Sequence, residues 1–268
     1  MAGQAPHILY TKALIHKGHS YLFWYSEPDC STPDEFIRAG IQPGDIEIHN
    51  DSESFNFLFN IFKNAEHPIN CGHMPPDFIP LNPSSIQHCT GFYATVIASE
   101  HASYSKISAG VSADALSRSV DDRVSAAVLC LPNLAISYDI LNKGTMKVYA
   151  EKHAVSWYNY INDPDSLDQK ALQGSLYVIT GSDKMTTWGA AVIGRVASSL
   201  NHSLTCATAC IGGLNGTDPH AWTTSSGFDT CLYPFSHIAY PYPKHLENQC
   251  IFACGDTISV SEVLLKSC

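Results

Sequence analysis

Alternation of apolar and polar side chains, broken by clusters of Gly, Pro and Ser, divides the 268-residue chain into many short extended segments and a few helical ones. Residues 8–15 (ILYTKALI) and 20–26 (SYLFWYS) flank the Gly-containing HKGH, which predicts a hairpin. Thr32, Pro33 and Glu35 then supply a cap, a first-turn proline and a carboxylate three residues after the cap, predicting a short helix that ends at Gly40. Residues 44–48 (GDIEI) and 54–62 (SFNFLFNIF) are alternating or aromatic and read as strands, followed by a Pro-rich extended loop from His67 to Pro83.

From Gly91 the texture becomes small and Ser-rich, and GFYATVIASE, SYSKISAGVSADALS and VSAAVLCLP read as three strands. Between Asn133 and Ile161 the period turns helical. Met146, Tyr149, Ala150, His153, Trp157 and Tyr160 recur at steps of three and four, predicting a helix of about 16 residues within 144–161. SLYVITG, WGAAVIGRVASS and SLTCATACIGG add three strands, and QCIFACG with TISVSEVLL forms a closing pair after the loop LYPFSHIAYPYP. About ten strands with two or three helices packed against them make an α+β fold with a dominant twisted antiparallel sheet. No repeat, low-complexity tract or linker interrupts the chain, so a single domain over 1–268 is expected.

Composition narrows the function classes. With 45% apolar and only 15% charged residues the chain folds around a core, and it lacks the run of about 18 apolar residues that a helical membrane span needs. A net charge of −10, with 15 Lys and Arg against 25 Asp and Glu and no basic cluster, argues against nucleic acid as a partner. Lys12, His16, Lys17 and His19 stand where a secretory signal needs a continuous apolar segment. The expectation is therefore a cytoplasmic protein whose ten cysteines are thiols.

Candidate chemistry is sparse. His67, Cys71 and His73 lie within HPINCGH, a trio of N and S donors to which His88, Cys89 or His101 would add a fourth metal ligand. Thirteen histidines make chance clustering easy and no C-x2-C pair exists, so solvated loop residues are the simpler reading and no cofactor is expected. Cys206/Cys210 and Cys250/Cys254 share a C-x3-C spacing, which in a strand separates the thiols by roughly 13 Å. They read as small buried side chains. Ser103 and Lys106 form an S-x-x-K, but in a strand these positions face opposite ways, and the companion motifs of acyl enzymes are missing around Ser182, Asp183 and Lys184. Asp121 and Asp122 read as a turn between strands.

The informative pattern is an absence of charge. Between Met185 and Thr217 the only charged side chain is Arg195, and the stretch consists largely of Ala, Gly, Ser, Thr, Val and Cys in alternation. Residues 91–132 are similar in composition. A barrel strand that crosses a bilayer needs about 9–11 residues with one apolar and one polar or small face, and both stretches supply such strands, although soluble sheets use the same composition.

KISAGVSADALSRSV, VSAAVLCLP, the helix at 144–161 and GSLYVITG follow one another in an order that resembles the middle of the gasdermin pore-forming domain. There a Ser-rich Lys-Ile-small-Gly-Gly strand precedes an apolar strand, a helical segment and a Gly-x-Leu-Tyr-Val-Val-Thr strand. Lys106, Ile107 and Gly110, and the run from Gly174 to Thr180, are the matching positions. IQPGDIEI with SFNFLF is similar to that family's entry into its first hairpin, and CGDTISVSEVLL to its closing strand; the likeness covers about residues 41–213. The whole chain also resembles a family of proteins from mushroom-forming fungi through PGDIEI, FNFLFNIF, AEHPIN, LYVITGSDKMTTWG and ENQCIFACG, a likeness that brings no activity with it.

The gasdermin resemblance implies a gasdermin N-terminal-domain-like fold and a cytoplasmic monomer that relocates to membrane lipid. Residues 87–132 and 174–213 would open into two long hairpins, and many copies would close into a homo-oligomeric barrel that permeabilises the membrane in cell death or defence. Val192 and Trp188 would then contact lipid, and Lys106, Lys184 and Arg195 the lipid surface or the lumen. Residues 255–268 would be a C-terminal regulatory tail, or a partner protein would restrain the monomer. Two other readings stand beside it. Trp222, Phe228, Tyr233, Phe235, Tyr240 and Tyr242 would form a stacking surface in a lectin-like or small-ligand-binding β-domain, or the His/Cys-rich loops with His67, His73 and His101 would serve an enzyme.

Overall fold

The computed structural model describes residues 5–15, 21–29, 31–49, 55–70, 72, 74–76, 78–82, 86–90, 96–100, 102–107, 110–115, 126–132, 135–167, 169–193, 202–208, 220–224, 229–233 and 246–260. Among them are three helices, α1 (Pro6–Leu14), α2 (Asp34–Ala39) and α3 (Lys143–Asn162). The strands are β1 (Tyr21–Leu22), β2 (Asp45–His49), β3 (Phe55–Asn60), β4 (Ile86–Thr90), β5 (Val96–Ala98), β6 (Ala102–Ile107), β7 (Gly110–Ala115) and β8 (Ala126–Cys130). They continue with β9 (Ile136–Ile140), β10 (Leu176–Met185), β11 (Trp188–Ile193), β12 (His202–Thr208), β13 (His220–Thr224), β14 (Asp229–Tyr233) and β15 (Gln249–Ile258). The class is α+β with mostly antiparallel sheets. The chain gathers into two compact units, one of Met1–Ser26, Thr90–Ile136 and Lys184–Phe252, the other of Glu27–Cys89, Ser137–Asp183 and Ala253–Cys268.

The first unit holds two four-stranded sheets, in the orders β14-β11-β8-β5 and β13-β12-β7-β6. Helix α1 lies against β8 and β11, where Tyr10 and Leu14 are buried over Ala127, Leu129, Ala190 and Val192. The alternation in ILYTKALI predicts a strand here, and the structure forms a helix instead. Pro6 sits in the first helical turn, where its missing N–H costs nothing. Leu9 and Ala13, and Tyr10 and Leu14, are each four apart, so one helical face meets the Ala-rich sheet. Six apolar residues in eight fit either period, and docking decides between them. Of the predicted second strand only Tyr21–Leu22 is extended, and the connecting HKGH lies outside the described residues.

In the second unit β10 pairs antiparallel with β2, and β2 with β3 across a bulge between Ile46 and Glu47. Helix α3 covers one face. Met146, Ala150, Ala154, Trp157, Tyr158 and Ile161 bury against Ile46, Ile48, Phe59, Leu176 and Val178, each large side chain contributing about 1.5–3 kcal/mol. The predicted helical face is thus present, extended by Ala154, Tyr158 and Ile161, while Tyr149 and Tyr160 pack at its margin. The helix begins where expected, with Asn142 accepting from the Thr145 N–H at 3.3 Å. The preceding β9, within the segment assigned to helical periodicity, is a strand. On the other face Phe36 of α2 packs on Phe57 and Ile69, the Phe36 and Phe57 rings being 4.2 Å apart. Helix α2 ends as predicted at Gly40, which has φ 64°, but Pro33 occupies the cap and Thr32 Oγ1 donates instead to the Asp29 carbonyl at 2.5 Å.

Two further segments depart from the alternation reading. SYSKISAGVSADALS holds two strands, β6 and β7, rather than one. QCIFACG and the following DTI form the single strand β15, because Gly255 is a site of close backbone approach rather than a turn: a methyl there would lie 2.8 Å from the Val178 carbonyl oxygen. Beyond Gly255 two side chains return to the core. Ile258 and Val260 are buried, the Tyr158 hydroxyl donates to the Ile258 carbonyl at 2.8 Å and accepts from the Gly174 N–H at 3.0 Å, and the Gln173 amide donates to the Val260 carbonyl.

Two outcomes follow for the second unit. Ending the chain at Gly255 strips Ile258 and Val260 from the core and is expected to cost about 3–6 kcal/mol, read as loss of the cooperative urea transition. Gly44 has φ 93° and a methyl on it would lie 2.4 Å from the Phe62 ring, so Gly44→Ala is expected to cost about 2–4 kcal/mol. Gly72→Ala, at φ 76° with open space around it, is expected to cost only about 1 kcal/mol.

Candidate functional site

The small, Ser-rich segments singled out by their lack of charge come together in the first unit. Each is a pair of extended arms. In the first, β5 and β6 form the outgoing arm and β7 and β8 the return; in the second, β11 and β12 go out and β13 and β14 return. The return arm of one pairs antiparallel with the outgoing arm of the other in both sheets, Ala126–Cys130 with Gly189–Ile193 and Gly110–Ala115 with His202–Ala207. The outer arms flank them, β5 and β6 on one side, β14 and β13 on the other. Ser99 sits at the corner between β5 and β6, donating its N–H to the Ala127 carbonyl at 2.9 Å and accepting from the Ala127 N–H on Oγ at 3.0 Å. A side chain thereby completes a ladder that the bend interrupts.

The sheet of β14, β11, β8 and β5 is apolar on both faces. Trp188, Ala190, Val192, Leu129, Cys231 and Tyr233 face the core under α1; Val96, Val128, Cys130 and Ala191 form a second cluster on the opposite face. Trp188 and Val192, read as lipid-contacting, are fully buried in this folded form. Trp188 Nε1 donates to Gln249 Oε1 at 3.4 Å, and Gln249 Nε2 to Asn248 Oδ1 at 2.9 Å. Tyr10 stacks edge-on to Trp24 at 4.9 Å, and its hydroxyl is buried without a hydrogen-bond partner. Burial first, then the nearby Cys231 and Cys130 thiols, push its pKa well above the usual phenol value.

The sheet of β13, β12, β7 and β6 is different. Its register aligns Ser105, Ser112, Thr205 and Thr223 in one row and Ser103, Asp114 and Ser203 in another. The intervening rows are Tyr104, Ala113, Leu204 and Thr224, then Lys106, Val111, Cys206 and Trp222. Because alternate positions share a face, the two hydroxyl-rich rows fall on one face together with the row Ile107, Gly110, Ala207 and Ala221, and the two intervening, mostly apolar rows fall on the other. Ser103 and Lys106, three apart in β6, fall on opposite faces, which removes the S-x-x-K geometry.

The remaining candidates are dispersed. Lys184 is a buried cation near the end of β10, next to the buried Asp183, whereas Arg195 lies outside the described residues. Of the aromatic surface, Trp222 is on β13 and Tyr233 is buried in the core of the first unit; Phe228, Phe235, Tyr240 and Tyr242 lie outside the described residues. His67 Nδ1 accepts from the Ile69 N–H at 3.2 Å, and Cys71, His73 and His101 lie outside the described residues. Among the described residues no three His, Cys, Asp or Glu side chains are grouped to hold a metal ion, and no helix is long and apolar enough to cross a membrane. Cys130, Cys231, Cys250 and Cys254 form no disulfide.

One buried acid went unremarked in the sequence. In GDIEI, Asp45 and Glu47 alternate with Ile46 and Ile48, so a core under α3 forces both carboxyls to the opposite face. Asp45 is satisfied there: it accepts from Asn60 Nδ2 and from the Gln42 N–H, each at 2.7 Å. Asn70 in turn clamps Asn60, accepting its N–H at 2.8 Å and donating to its carbonyl at 3.0 Å. Glu47, opposite Phe57 and Tyr177 in the ladders, is fully buried with no hydrogen-bond partner on either oxygen. Burial, and secondarily the neighbouring Asp45 charge, raise its pKa well above the ordinary value of 4.5. The signal was present as two acids spaced by two in an otherwise apolar strand.

No family model, curated protein or solved structure matches the chain.

The sign of the Glu47 linkage is fixed by its raised folded-state pKa. The folded state holds the proton more tightly than the unfolded state, so its stabilising contribution is complete below about pH 4.5 and is lost as pH rises through the folded pKa. Glu47→Gln is expected to flatten this slope in urea unfolding measured from acid to neutral pH, and to be the more stable protein at neutral pH.

Proposed function

We propose that this protein is a gasdermin-like pore former, which leaves the cytoplasm for membrane lipid and permeabilises it as a homo-oligomer. The observation that carries this reading is the four-arm arrangement. Two strand pairs lie with neighbouring inner arms, and in one of their sheets rows of mostly Ser and Thr positions alternate with rows of mostly apolar positions over residues 103–106, 111–114 and 203–206. The stretches of sequence that carry these strands, 96–107, 110–130, 188–208 and 220–233, each number more residues than the about 9–11 that a tilted strand needs to cross a bilayer.

In this reading α1 and its core hold the arms in the folded monomer. Release frees them to straighten, with the hydroxyl face toward water and the apolar face toward lipid. Copies then pair edge to edge until the sheet closes, since only a closed sheet satisfies every backbone group in hydrocarbon. Two details favour the assignment. Lys106 and Trp222 share a row next to the β6–β7 turn, the residue types that settle at a membrane–water interface. His202 and His220 also belong to the apolar face, but each is the first residue of its strand. Trp188 and Val192 leave the monomer core when the arms open, which makes them poor places for a test because a charge there first disrupts the folded form.

Dye release from vesicles of neutral and of anionic phospholipid tests the proposal. The full-length protein is expected to release dye and to form ring-shaped oligomers. Ala113→Asp, a charge in an apolar row, is expected to abolish release, whereas Ser112→Asp, one residue away in a hydroxyl row, is expected to retain it. Unfolding curves matching the parent confirm that either variant starts from the folded monomer. No release from any vesicle and no sedimentation with lipid would refute the reading.

A further inference from the structure

Register puts Glu47 directly opposite Phe57 on β3 and Tyr177 on β10, and residues directly opposite share a face of the sheet. Phe57 is the residue on which α2 rests, through the Phe36 ring at 4.2 Å and the cluster completed by Ile69. Helix α2 has six residues, of which Phe36 and Ile37 are buried. On the other face α3 has twenty residues and buries six of them. Both Glu47 oxygens are buried without a hydrogen-bond partner. From these placements we propose that α2 is a pH-dependent lid, docked while Glu47 is protonated and lifted off the sheet, with α3 left in place, when the carboxyl ionises.

The other ionisable groups around the site do not compensate the charge. On the same strand Asp45 is held by Asn60 and the Gln42 N–H, and the half-buried His49 packs on Phe55 and Tyr177. Tyr177 faces Glu47 from β10, and β3 opposes it with Phe57. Asp34, Glu35 and Arg38 of α2 are exposed. The segment leading to Ile69 carries Lys63 and His67, both half-buried, and the exposed Glu66. None of these groups hydrogen-bonds to Glu47, so the ionised carboxyl must find water. Lifting a helix that buries two side chains admits water at lower cost than lifting one that buries six. The closed lid raises the Glu47 pKa, and the open lid restores the ordinary value of 4.5. Closure is therefore complete below about pH 4.5 and is lost as pH rises towards the pKa of the closed form. Within that window each opening releases one proton, so the open population grows about tenfold per pH unit.

Amide hydrogen exchange of the full-length protein from acid to neutral pH, corrected for the intrinsic exchange rate, tests this. The reporters are the Ile37 and Gly40 N–H groups, which donate to the Pro33 and Phe36 carbonyls at 3.0 and 2.7 Å, and the amides of α3. Protection of the α2 pair is expected to fall about tenfold per pH unit while that of α3 holds. Glu47→Gln, which keeps the size and cannot ionise, is expected to hold α2 protection at its acid value throughout, and His49→Gln to retain the parent slope. The inference is overturned by α2 amides that are unprotected already in acid, by protection independent of pH, or by a slope that survives in Glu47→Gln or disappears in His49→Gln. Loss of α2 and α3 protection together overturns it as well, since that is unfolding of the unit and not the movement of a lid. No readout involves lipid, so the result is independent of the pore reading.

Discussion

The antiparallel pairing of β8 with β11 is the constraint on which the first unit depends. It joins segments far apart in the chain and fixes which residues of each arm share a face, since side chains alternate strictly along a paired strand. The residues of that ladder are mostly small, and each larger one faces a small one: Ala190 is opposite Leu129, Ala191 opposite Val128 and Ala127 opposite Val192. Their size lets α1 approach closely enough for Tyr10 and Leu14 to bury against the strands. The same ladder sets up the neighbouring β7–β12 pair, where hydroxyl and apolar rows separate. Charge would disrupt both arrangements, which accounts for its scarcity along these arms.

The second unit is built on a different compromise. Alternation in β2 gives Ile46 and Ile48 to the core under α3 and consigns Asp45 and Glu47 to the opposite face. One acid is compensated by Asn60 and a backbone N–H; the other is buried with its oxygens unmatched. A buried carboxyl that avoids charge by keeping its proton is tolerated at a cost in stability. Here the cost is tied to pH. The second unit therefore carries a pH linkage at Glu47.

Much of this was legible in residue patterns, and the failures are specific. The strands at GDIEI, SFNFLF, VSAAVLC, SLYVITG and WGAAVI are where alternation and β-branched or aromatic composition put them, and α3 follows its three-and-four spacing. The segment 8–15 misled because its apolar residues satisfy both periods, and the contact with β8 and β11 that selects the helix lies over a hundred residues away in sequence. Gly255 misled for the complementary reason, because the backbone it must admit belongs to β10. The hydroxyl alternation of the candidate site was visible, and so was its lack of charge. Invisible were the order of the arms and the burial of Trp188, Val192 and Tyr233.

By itself, then, the sequence determined the class of fold, the extended character of the uncharged arms and the separation of hydroxyl from apolar positions along each of them. These are properties of period two, settled among neighbours a few residues apart. The tertiary structure alone decided which arm pairs with which, that residues 6–14 coil into a helix, that Ile258 and Val260 belong to a core, and that Glu47 is sealed without a partner. Each of those depends on a surface supplied by a distant part of the chain, and local periodicity contains no information about what will cover it.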